Sequence, residues 1–140
     1  MALGIAVLAA NAAAAGWGAV GWLRHNARAA ITFWPLLRVA QATVVVQAVL
    51  GLLLLARGAS APDGLHVIYG IVPLFISLIS EAMRAGVAQR ELDGVEDVDA
   101  LGRSDQVALA RRVAPGEMGV MTIGALLILT LALRAYQTGG

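Results

Sequence analysis

The chain has 140 residues, 59% of them hydrophobic and 14% charged, with a mean hydropathy of +0.79. An average soluble domain carries about 25% charged residues, so this composition points to an integral membrane protein with too little polar chain for a separate soluble domain. A net charge of +1 gives no sign of nucleic-acid binding through a basic surface, and the absence of cysteine excludes disulfides, thiolate metal sites, iron–sulfur clusters and cysteine nucleophiles.

All ten basic residues are arginine, which with the abundant alanine and glycine fits a GC-rich bacterial genome.

The first apolar segment covers residues 2–23. Its leading end carries no positive charge and the apolar run is long, so it reads as a retained helix rather than a cleaved signal. Gly16, Gly18 and Gly21, with the alanines before them, permit close approach of a neighbouring helix. Trp17 and Trp22 suit an aromatic belt. Asn11 lies near mid-span and calls for a hydrogen bond to another helix.

After Arg24, His25, Asn26 and Arg28, a second helix is expected over residues 31–56. At 1.5 Å per residue it is roughly 39 Å long, enough to cross a ~30 Å hydrocarbon layer with tilt. Trp34–Pro35 either kinks this helix or starts it. Arg38, Gln41 and Gln47 interrupt its apolar face. Arg57, Gly58, Ser60, Pro62, Asp63 and Gly64 form a turn.

The third helix covers residues 65–88, with Tyr69 at an interface, a bend at Pro73, and Glu81 near the far end. Residues 89–116 are polar. Glu91, Asp93, Glu96, Asp97 and Asp99 make an acidic run, and Ser104-Asp105-Gln106 starts a helix. Val107, Leu109, Ala110 and Val113 give that helix an apolar face, and Pro115-Gly116 ends it. It is expected to lie on the membrane surface, as a partner's docking site or simply a solvated connector. The fourth helix covers residues 117–136, anchored by Arg134 and Tyr136. The expected fold is all-α: one domain, a four-transmembrane-helix bundle with a short cytoplasmic surface helix between the third and fourth.

The arginine-rich connections, carrying Arg24 and Arg28, then Arg90, Arg103, Arg111 and Arg112 with Arg84 at the helix end, belong in the cytoplasm by the positive-inside rule. Both termini then face outward from a bacterial inner membrane.

An arginine inside a span needs a partner or a route to the headgroups. Arg38 and Glu81 lie at similar depths from the cytoplasmic side, which predicts an ion pair, with Glu117 as the competing partner. Snorkelling of Arg38 to lipid phosphate, or an ion or proton route, are the alternatives. Gln47 and Asn11 are placed at comparable depth and expected to bond across helices; with Gln41, Gln47 could otherwise line a polar route.

A small four-helix membrane protein raises the question of haem, which takes His or Met ligands. His25 and His66 fall on opposite faces of the bilayer, so bis-histidine ligation within one chain is excluded. His25 with Met83, Met118 or Met121 is possible in depth, although methionine there serves equally as core filler. No cofactor is predicted. Asp63, His66 and Tyr69 cluster near the outer surface, but two ligands do not make a metal site. No HExxH, Walker loop or GxGxxG is present.

FWPLLRVAQ, DGLHVIYG and PGEMGVM, in this order on four helices, resemble small uncharacterised four-helix membrane proteins of high-GC bacteria. That resemblance implies the fold and no activity. The pattern differs from cytochrome b-type and haem A synthase-like bundles, which place histidines at matched depth on facing helices. The expected function is non-enzymatic: an accessory or scaffold subunit among membrane lipids, packed against a larger membrane complex such as a respiratory one. The alternatives are a protomer of a small homo-oligomeric transporter or channel, and a haem- or quinone-binding electron carrier.

Overall fold

The computed structural model describes residues 2–60 and 64–138, apart from the side chains of His66 and Thr138. Four helices dominate it: α1 (Ala2–Leu23), α2 (Ala30–Ala56), α3 (Gly64–Glu91) and α4 (Arg103–Thr138). A single 3₁₀ turn, Ala27–Ala29, joins α1 to α2. All four helices are long and apolar enough to cross a membrane, the make-up of a multi-pass membrane protein.

Each helix packs on its sequence neighbour, and α4 closes the ring by packing on α1. The buried residues of α2 are Ala30, Phe33, Leu37, Ala40, Val44 and Ala48, a spacing of three and four that makes one continuous stripe. On α1 the buried stripe is Val7, Asn11, Ala14, Ala15, Gly18 and Gly21. Lipid supplies no hydrophobic drive between helices, so packing at small residues does this work. A β-carbon on Gly18 would strike the Phe33 ring of α2 and the Thr122 hydroxyl of α4, and one on Gly21 would press on Ala29 and Met118. From the α4 side, Gly119 receives the Trp22 indole and Gly124 receives Ser80 of α3.

The turns are set by local chemistry. At the end of α2, Gly58 adopts φ 85°, its N–H bonds Leu55 O, and the N–H of Ala59 bonds Leu54 O. That is a Schellman stop. The end of α1 repeats it with His25 in the glycine position, at φ 49°, and the N–H of Asn26 bonding Gly21 O at 2.9 Å. Asn26 then caps the 3₁₀ turn by accepting from the N–H of Arg28. Trp17, expected only as an interface anchor, also donates from Nε1 to Ala29 O at 3.1 Å.

Two sequence expectations need correction, and one open choice is decided. First, no separate surface helix lies between α3 and α4. The residues expected to form it are the opening turns of α4, which continues straight through Pro115. A proline inside a helix removes one hydrogen bond and crowds the preceding turn. Here Pro115 is buried, Leu109 is buried one and a half turns earlier, and Ala114 packs on the central cluster. Breaking the helix would forfeit that packing. Second, the choice at Pro35 is decided in favour of the range 31–56: α2 starts at Ala30, and Pro35 lies within it on the exposed side rather than opening it. Third, Asn11 does not reach Gln47. The tight α1–α2 turn starts both helices at one level, so Asn11 and Gln41, each about 12 residues from the turn, share a depth of roughly 18 Å. Asn11 bonds Val7 O on its own helix at 2.9 Å. It lines, with Gln41, Ser77 and Ser80, a central gap of about 10 Å³.

Candidate functional site

The charged residues of the spans, with Gln41, gather where α2, α3 and α4 meet, nearer the arginine-rich end of the bundle. Arg38 of α2 bonds Glu81 of α3 through Nη1, and also bonds Gln41 one turn along its own helix. Gln41 Nε2 donates to the same Glu81 oxygen at 2.9 Å. The other Glu81 oxygen accepts from Arg84 Nε at 2.8 Å, and Arg84 Nη1 reaches Glu117 of α4 at 2.8 Å. Trp34 completes the group, its ring centroid 5.2 Å from the Arg84 guanidinium and 6.0 Å from that of Arg38.

Two arginines and two glutamates make the network neutral. Glu81 is its hub, holding three donors. Pairing with hydrogen bonds to every charge offsets the cost of placing charge in a low-dielectric setting. The network is not sealed. The Arg38 side chain is 54% exposed and that of Glu117 15%, so it grades from the bundle surface on α2 to the interior beside α4.

Of the residues singled out in the sequence, Arg38, Gln41, Glu81 and Glu117 are brought together. Glu117 is not a rival for Arg38; it takes Arg84. Arg84, read from the sequence only as a charge setting orientation, links the two carboxylates, and Trp34, read only as a helix marker, stacks beside both arginines. Both roles had a visible signal: Glu81 and Arg84 are three apart, Trp34 and Arg38 four apart, spacings that face each other on a helix. Asn11 and Gln47 stand apart from the network. His25 is exposed in the α1–α2 turn, while Met118 and Met121 are buried among Ala14, Phe33 and Leu37. Met83 is exposed on α3. Asp63 and the His66 side chain lie outside the described residues, so the cluster expected with Tyr69 does too. Among the described residues, no group of three or more His, Asp or Glu side chains is placed to hold a metal ion.

Chemically the network can fasten three helices and hold the α2–α3 seam shut along this half. Its carboxylates are each engaged by arginine.

No protein-family model, curated protein or solved structure matches the chain.

Proposed function

We propose that the chain is a non-enzymatic membrane subunit that docks a larger membrane complex through the end where α3 and α4 outrun the other two helices. In this reading it sits in a bacterial inner membrane with both termini outside and its arginine-rich end in the cytosol. The observation that supports it is the length of α4. Gly116 and Met118 stand level with the α1–α2 turn, against Val87 and Gly21 respectively. The opening turns of α4, from Arg103 to Val113, therefore project past that turn by roughly 16 Å. They carry Arg103, Asp105, Arg111 and Arg112, and Val107 stands 45% exposed among them. A rigid helical arm with charges around an exposed apolar residue suits a protein contact. The small-residue face of α1, by contrast, is used within the chain against Phe33, Met118 and Thr122.

A photo-crosslinking residue at Val107, in native membranes, tests this. A stoichiometric adduct with one larger membrane protein is expected, and a control at Leu53 on the lipid-facing side of α2 should give none. Adducts between copies of the chain alone would favour a transporter or channel protomer. Purification with a coloured prosthetic group would favour an electron carrier.

A further inference from the structure

The four helices form a ring in which α1 and α3 stand diagonally, and among the described residues these two do not pack on each other. Between them lies the central gap of about 10 Å³, walled by Asn11 of α1, Gln41 of α2, Ser80 of α3, and Met121 and Gly124 of α4. Asn11 is 2% exposed and Ser80 7%. Asn11 Nδ2 bonds Val7 O, but among the described residues neither Asn11 Oδ1 nor the Ser80 hydroxyl takes part in a hydrogen bond. The neighbouring Ser77 hydroxyl is shielded almost completely, whereas these two keep contact with the gap. Glycine at position 124 keeps the space open, since a β-carbon there would strike the Ser80 hydroxyl.

We propose that this gap holds one water molecule, which donates to Asn11 Oδ1, bonds the Ser80 hydroxyl, and so ties α1 to α3 across the ring. The volume matches the threshold of ~10–15 Å³ for a single water and admits nothing larger. A buried water needs at least two polar partners, and the two groups without one are both here. Left bare inside a bilayer, an amide oxygen and a hydroxyl are costly, because lipid cannot bond them. A cation in the same place would bury an unbalanced charge, since the groups around the gap are uncharged and the Arg38–Glu81 network is already neutral. The water therefore does for α1 what the charged network does for the other three helices: it fixes the height of α1 against a neighbour. The inference is independent of the docking role proposed above.

The test is X-ray radiolysis of the full chain in phospholipid nanodiscs, with oxidation sites read by mass spectrometry. A short pulse splits bound water where it sits, and the hydroxyl radical oxidises the nearest susceptible side chain, methionine above all. Met118 and Met121 are both buried and lie three residues apart on α4, but only Met121 lines the gap. Met118 stands nearer the α1–α2 turn, so water entering from that end would reach it first. Oxidation of Met121 with Met118 spared is expected. Asn11→Leu, close in volume and unable to bond water, should lower Met121 oxidation to the Met118 level. Ser80→Ala removes the second partner, leaves the space open, and should lower it too; melting temperatures show that both variants fold. Equal oxidation of the two methionines in the wild type, or Met121 oxidation unchanged in the folded variants, overturns the proposal.

Discussion

Arg84 Nη1 lies 2.8 Å from Glu117 Oε1, and this ion pair joins α3 to α4 independently of Arg38. The network is therefore two linked pairs, Arg38 with Glu81 and Arg84 with Glu117, bridged by the Arg84–Glu81 contact. Removing one charge unbalances it, whereas removing a matched pair does not.

Glu81→Ala leaves Arg38, Gln41 and Arg84 without their shared acceptor. It should cost about 1–3 kcal/mol, less than a sealed pair would because the site is partly exposed. Arg38→Leu combined with Glu81→Leu keeps the Arg84–Glu117 pair and should cost less than Glu81→Ala alone. Thermal melts of the three proteins in one detergent decide this. Equal losses for the single and double variants would count against the Arg38–Glu81 pairing.

Gly18 is the point where three helices touch. Gly18→Val should destabilise the bundle by about 1–3 kcal/mol, because Phe33 and Thr122 cannot both move aside. Phe33→Leu in the same chain should recover part of the loss. A double-mutant cycle of melting free energies measures that coupling, and strictly additive losses would place the strain elsewhere.

His25 occupies a backbone conformation that costs an ordinary residue about 1–2 kcal/mol and glycine almost nothing. His25→Gly should therefore raise the melting temperature, with the greater freedom of glycine in the unfolded chain offsetting part of the gain. A lower melting temperature would mean the imidazole makes a contact that outweighs its strained backbone.

The continuity of α4 through Pro115 can be measured directly. Spin labels at Ala108 and Leu126, both exposed, span 18 residues and should lie about 27 Å apart along one helix. A dipolar EPR distance well short of this would mean that the helix folds over at the proline and that the arm does not project.

The membrane class and the positions of the four spans were legible in the sequence because hydrocarbon imposes a long apolar run on any helix that crosses it. The meeting of Arg38 with Glu81 was legible for a related reason: a charge at that depth needs an opposite charge, and few were available. What the residue order did not reveal was set by packing. Pro115-Gly116 has the composition of a helix end, yet burial of Leu109, Ala114 and Pro115 keeps α4 unbroken. Asn11 and Gln47 looked level only while the spans were assumed to start evenly, and the 3₁₀ turn at Ala27–Ala29 sets Asn11 beside Gln41 instead. Sequence by itself determined which segments are long and apolar enough to cross a bilayer, because solvent preference is a property of each side chain. Only the tertiary structure decided which polar groups meet and where the central gap lies, because those depend on the relative heights of helices, which turn geometry and glycine contacts set.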